Sequence, residues 1–216
     1  MLIEEKPMKR FPAFFPFFIA DALLHAAPSE TTQKTTTPFI EYHNRMAVFS
    51  FNHFVYERIK TDAFYTGVEG WAVPTLNYNF IVEGEYRAGY NFFWNGRDHL
   101  TPIGGVGFFK DFANSYYNKA KPGIVYGTFG FLYDHEFTSV FNLGLNVKGI
   151  IGGPVAEKWY GWGSPVVGID TSLPITFRFG HKRQWDARLE PFDIYLHGSN
   201  NSMNVVGLRS TIGYRF

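Results

Sequence analysis

Residues 80–92, FIVEGEYRAGYNF, alternate in character: Phe80, Val82, Tyr86, Ala88, Tyr90 and Phe92 share one parity, and Glu83, Glu85, Arg87 and Asn91 the other. Two later runs repeat the pattern. Phe141, Leu143, Leu145, Val147 and Ile151 oppose Asn142, Asn146 and Lys148, while Val167, Ile169, Leu173, Ile175, Phe177 and Phe179 oppose Asp170, Ser172, Thr176 and Arg178. In the closing run NVVGLRSTIGYRF, Val206, Leu208, Ile212, Tyr214 and Phe216 oppose Arg209 and Arg215. Successive side chains of a strand point to opposite faces, so each run predicts a strand with one greasy face and one charged face. A soluble barrel turns the greasy face inward and a membrane barrel turns it outward.

Strand length separates these two arrangements. A common globular strand has about 5–6 residues, whereas a tilted transmembrane strand needs about 9–11, and the runs above reach the second class. Weaker candidates lie at 45–56, 63–71, 100–110, 123–135 and 185–197. The connections alternate in size: short at 57–62, 95–99, 136–138 and 180–184, long at 72–78, 111–122, 152–164 and 198–203. Short turns on one side and long loops on the other are the habit of outer-membrane barrels. The candidates number nine, while such a barrel with both ends on one side needs an even number. The expectation is therefore an all-β, antiparallel up-and-down transmembrane barrel of eight strands, with ten as the alternative. The odd count implies either an extra strand within 38–46 or a weak candidate that does not fully cross.

Composition sharpens this picture. Aromatic residues make up 19% of the 216 residues, with 24 Phe, 13 Tyr and 5 Trp beside 22 Gly, a mixture suited to close-packed strands and aromatic girdles. The net charge of +1 gives no reason to expect a nucleic-acid partner, and the absence of Cys excludes disulfides, thiolate nucleophiles and Cys-based zinc sites. Met8-Lys9-Arg10 precedes a short apolar run and the small residues Ala26 and Ala27, which predicts a signal peptide over 1–27 with its start at Met8. Pro12, Pro16 and Asp21 interrupt that run, which is too short to span a bilayer. Residues 28–42 are expected to be a linker or a first short strand, and 43–216 the barrel.

The terminal IGYRF resembles the closing strand of Gram-negative outer-membrane β-barrel proteins, and LTPIGGVGFF is similar to glycine-rich strands of small opacity-type barrels. The resemblance implies a bacterial outer-membrane location, with Tyr214 and Phe216 as the signal read by the assembly machinery. It also implies contact with outer-membrane lipid and lipopolysaccharide and a surface ligand met through the loops. The string HGSN at 197–200 resembles the His-x-Ser-Asn of outer-membrane lipid A deacylases, eight-stranded barrels with a His-Ser-Glu triad. On that resemblance His197 is the base and Ser199 the nucleophile. Where that family continues to a glutamate this chain has Thr211, and no Glu follows Glu190.

The polar parities carry Glu83, Glu85, Arg87, Lys148, Asp170, Arg178, Asp186, Arg188, Glu190, Arg209 and Arg215. Charges of both signs inside a small barrel pair with one another, so a structural network is expected, and a narrow selective pore if the strand number is ten. Glu83 and Glu85 read as interior polar residues, not an acid-base pair. Opposed to Ile194 and Leu196, His197 and Ser199 are expected to face the lumen or a loop. The histidines make no HExxH or other metal spacing, and GGVG at 104–107 lacks the Lys-Ser/Thr and helix of a phosphate loop. Trp159, Tyr160 and Trp162 in the third long loop suit either surface stacking or an interfacial belt. The function expected is a monomeric, non-enzymatic envelope or surface-contact protein without cofactor or metal. A porin-like channel is the alternative and a lipid A deacylase-like hydrolase the second alternative.

Overall fold

The computed structural model describes residues 44–50, 52–74, 80–112, 123–155, 165–199 and 202–216. The predicted signal peptide, the linker over 28–42 and the loop aromatics Trp159, Tyr160 and Trp162 lie outside them. The described chain forms β1 (Asn44–Ser50), β2 (His53–Arg58), β3 (Ala63–Pro74), β4 (Phe80–Trp94), β5 (Asp98–Phe112) and β6 (Gly123–Thr138). These are followed by β7 (Phe141–Pro154), β8 (Val166–Ser172), β9 (Ile175–Phe179), β10 (Trp185–His197) and β11 (Ser202–Arg215). Every pairing is antiparallel and follows chain order, and β11 returns to pair with β1 from Arg45↔Arg215 to Ser50↔Thr211. The sheet is a closed up-and-down barrel.

The segments β8 and β9 form one stave. Both pair with β7 on one side and β10 on the other, and the ladder lapses between them at Leu173-Pro174. Proline has no N–H to give. The flanking strands stay attached there, because Leu173 N donates to Pro191 O at 3.0 Å and Gly144 N donates to Pro174 O at 2.7 Å. Counted by staves the barrel has ten strands, so the expectation of eight is corrected and the alternative of ten holds.

The missing strand was hidden inside candidate 45–56, which is two short strands folded back on each other, with Asn44↔Arg58 and Met46↔Tyr56 paired. Ser50 Oγ turns the chain by accepting from Asn52 N at 3.2 Å and His53 N at 2.5 Å. A shift of register between Ala47 and Phe49 moves the exposed parity from Met46 to Phe49, and the turn moves it again to Phe54. The segment therefore never displayed a clean break in period.

The connections sort by barrel end in part as expected. At one end lie short turns: 59–62, 95–97, 139–140 and 180–184. Asn95 and Gly96 both have positive φ, 54° and 68°, the conformation of a tight primed hairpin turn, and Arg97 N donates to Trp94 O at 3.2 Å. In the two-residue turn at 139–140, Thr138 Oγ1 accepts from Val140 N and Phe141 N at 3.2 and 3.0 Å. The opposite end carries the two longest connections, 113–122 and 155–165, together with 75–79, 198–201 and the two-residue connection at 51–52. The terms short-turn end and long-loop end are used below.

The outer face is apolar. Phe54, Phe64, Val68, Tyr86, Phe92, Val106, Phe108, Val125, Phe129, Ile151, Val167, Ile169, Phe177, Val206 and Leu208 are all exposed there, Val206 at 72%. Near the short-turn end aromatic rings adjoin: Trp185 on Tyr214 at 5.0 Å, Tyr214 on Phe216 at 6.3 Å, Phe141 on Phe177 at 5.1 Å and Tyr90 on Phe92 at 4.8 Å. Such a girdle beside an apolar band is what a bilayer interface selects. The fold is compatible with an outer-membrane protein.

Candidate functional site

Among the described residues the strands bring charged side chains together in the lumen, which is filled in three layers. Along β10 the inward side chains run Asp186, Arg188, Glu190, then Phe192, Ile194 and Leu196. Along β11 the inward positions run from Thr211 and Arg209 to Gly207 and Val205. One parity thus carries charge in the lower half and hydrocarbon in the upper half.

The middle layer is an ion network. Arg209, 1% exposed, is surrounded by Glu190 at 3.2 Å, Glu69 at 3.4 Å, Glu83 at 3.7 Å and Asp170 at 3.7 Å. Arg87 holds Glu69 at 2.6 Å and His53 Nε2 meets the same carboxylate at 2.8 Å. Lys148 bridges Glu85 at 2.6 Å and Asp170 at 2.9 Å. Glu83 also accepts from Trp71 Nε1 and from the Tyr126 hydroxyl, and Glu85 accepts from Thr128 Oγ1 at 2.7 Å. Buried ion pairs are costly to desolvate and hold only when each charge finds several partners, as these do. Two glycines make room for them. A Cβ at Gly105 would lie 2.7 Å from Thr128 Oγ1 and 3.3 Å from Glu85 Oε1, and one at Gly107 would lie 2.5 Å from the Tyr126 ring. Gly105 and Gly107 of LTPIGGVGFF thus serve close packing, whereas a Cβ at Gly104 would meet only Thr128 O, at 3.8 Å.

Above this layer, toward the long-loop end, Trp71, Ile81, Phe109, Ile124, Tyr126, Ile150, Val166, Phe192, Ile194, Leu196 and Val205 make one buried apolar cluster. Arg209 caps its underside, with the guanidinium carbon 4.2 Å from the Phe192 ring centroid and 5.4 Å from that of Trp71. Below, the short-turn end holds a polar bowl with a cavity of about 90 Å³, lined in part by Arg45, Glu57, Glu136, Arg178, Arg188 and Arg215. Asp186 anchors its rim, accepting from Arg45 Nη2 at 2.6 Å and Arg215 Nε at 3.0 Å, and Arg178 Nη2 donates to Glu136 at 2.8 Å.

The lumen residues expected from sequence, Glu83, Glu85, Arg87, Lys148, Asp170, Arg178, Arg188, Glu190, Arg209 and Arg215, all take part in ion pairs, and all but the half-buried Arg188 and Arg215 are buried. Sequence reasoning missed Arg45, His53, Glu57, Glu69 and Glu136, which sit on or just beyond the weak candidates. Glu57 and Glu69 could have been found from the parities that place them with Val55 and Trp71.

His197 lies on the outer face, its ring parallel to that of Tyr195 at 6.5 Å, and Ser199 is exposed just beyond β10. Of the expected alternatives, lumen or loop, Ser199 lies in the connection beyond β10, while a lumen position for His197 is corrected: Ile194 and Leu196 occupy that side, 1% and 2% exposed. The error came from reading hydrophobic as outward where the apolar parity Phe192, Ile194 and Leu196 fills the lumen and the outer parity carries Asp193, Tyr195 and His197. The cross-strand neighbours of His197 are Val167 and Ser202, with no carboxylate opposite it. Among the described residues no cluster of three or more His, Asp or Glu is placed to hold a metal. Tyr214 and Phe216 end the chain in the girdle. Comparison with protein-family models, curated proteins and solved structures finds no match.

Proposed function

We propose that the protein is a non-enzymatic, monomeric barrel of the bacterial outer membrane, serving envelope structure and surface contact through the connections at its long-loop end. The observation that carries this reading is the filled lumen: a layer of interlocked charges roofed by a layer of packed hydrocarbon. Ions crossing such an interior would have to break the pairs around Arg209 and then enter an apolar layer, both at high cost. The apolar outer face and the aromatic girdle support the membrane setting, with outer-membrane lipid and lipopolysaccharide as the surroundings and the assembly machinery reading Tyr214 and Phe216. Purified protein in planar bilayers should give no steady channels, and cells lacking it should become more sensitive to detergent or lose surface contact. A mutant unchanged in both respects would sink the proposal.

A narrow channel is the second reading. It is favoured by the bowl, whose lining shares Glu57, Leu132, Asn146 and Arg188 with a smaller polar cavity reaching His53 and Glu69. Steady, ion-selective conductance that changes when lumen charges are altered would favour it.

A further inference from the structure

We propose that the polar bowl at the short-turn end binds one small oxyanion of the phosphate or carboxylate class, with Arg178 as its principal contact. Hydrogen-bond accounting in the bowl leads there. Among its lining side chains, Arg45 Nη1, Arg178 Nε, Arg178 Nη1 and Arg188 Nε are buried donors without a hydrogen-bond partner, against one such acceptor, Glu136 Oε2. Buried donors are rarely left unmatched, because each costs roughly 1–3 kcal/mol.

Two of the four donors have a carboxylate at ion-pair distance, Arg45 Nη1 with Glu57 at 3.8 Å and Arg188 Nε with Glu190 at 3.4 Å. Arg178 has only Glu136, held through Nη2, and it is 5% exposed. Its remaining N–H groups are the surplus.

The acidic side chains around the cavity are already engaged. Glu57 accepts from Tyr65 at 3.0 Å and Arg188 at 3.4 Å, Asp134 accepts from Asn142 at 2.5 Å, and Glu136 accepts from Arg178. Carboxylates already engaged, beside surplus guanidinium donors, select a ligand that only accepts, and a planar guanidinium suits phosphate and carboxylate oxygens. The cavity of about 90 Å³ has room for one compact oxyanion or several ordered waters. It lies inside the barrel wall, so the ligand is a free solute and not a lipid headgroup.

Calorimetry on the whole barrel in detergent tests this without a membrane, so its outcome is independent of the proposed function. Inorganic phosphate titrated in a chloride background should bind, and Arg178→Gln should weaken it by about tenfold or more while Arg178→Lys retains part. Thr61→Phe, at a turn position lining the bowl mouth, fills the entrance and leaves every cation in place. It should abolish binding, and it decides the matter if Arg178→Gln does not fold. No heat with phosphate up to about 10 mM overturns the proposal and leaves waters as the occupants. So does binding that neither Arg178→Gln nor Thr61→Phe alters.

Discussion

Arg209→Met removes the charge on which four carboxylates converge and keeps much of the volume over Phe192. Three of those carboxylates have other support: Glu69 from Arg87 and His53, Asp170 from Lys148, Glu190 from Arg188 and from Ser172 at 2.7 Å. Glu83 keeps its hydrogen bonds from Trp71 and Tyr126, but among the described residues Arg209 is its one ion-pair partner. Breaking a buried pair from one side costs about 3–5 kcal/mol, most of it from the charge left behind. The expected loss in unfolding free energy, from urea titration of the barrel in lipid vesicles followed by Trp fluorescence, is of that size. Adding Glu83→Gln to Arg209→Met should restore part of it, with a coupling of roughly 0.5–3 kcal/mol. A single-variant loss below about 1 kcal/mol, or strict additivity in the double variant, would refute the idea that Arg209 neutralises Glu83.

Leu208→Arg, one residue away on the opposite face, should cost about 2–4 kcal/mol by the same titration, since on the proposed membrane reading it places a charge against lipid. Deleting Phe216 removes one exposed ring and should lower insertion in cells far more than it lowers folding of purified protein into detergent, measured by the heat-dependent gel shift. Equal effects in the two assays would count against a recognition role. Gly107→Leu drives a side chain into the Tyr126 ring, 2.5 Å from the new Cβ, and should destabilise by about 1–3 kcal/mol in the urea assay.

The strands with one apolar face and one charged face were legible because alternation and burial agree along them. β4, β7 and the lower half of β11 are of this kind, and Arg209, Lys148 and Glu85 followed from parity alone. Two features defeated the pattern for physical reasons. At 45–58 a register shift and a serine-closed turn changed the phase twice within a short span, so two half-length strands read as one. In the upper half of β10 the apolar parity packs inside, in the cluster around Phe192, and the outer parity carries Asp193, Tyr195 and His197, so the rule that hydrophobic points outward turned Ile194, Leu196 and His197 the wrong way. The surplus donors of Arg178 are invisible to sequence altogether, because they depend on how the strands from β1 to β11 close around one cavity.

The chain has no cysteine, so single cysteines can be placed without background and labelled with an environment-sensitive fluorophore. The most direct test of the central claim is a cysteine scan along β11 from Val205 to Ile212, with quenching by brominated lipid in reconstituted vesicles. Val206→Cys, Leu208→Cys and Ile212→Cys should be strongly quenched, and Val205→Cys, Arg209→Cys and Thr211→Cys weakly, giving a period of two. Uniform quenching, none at all, or the opposite parity would contradict a membrane barrel whose apolar face is its outer one.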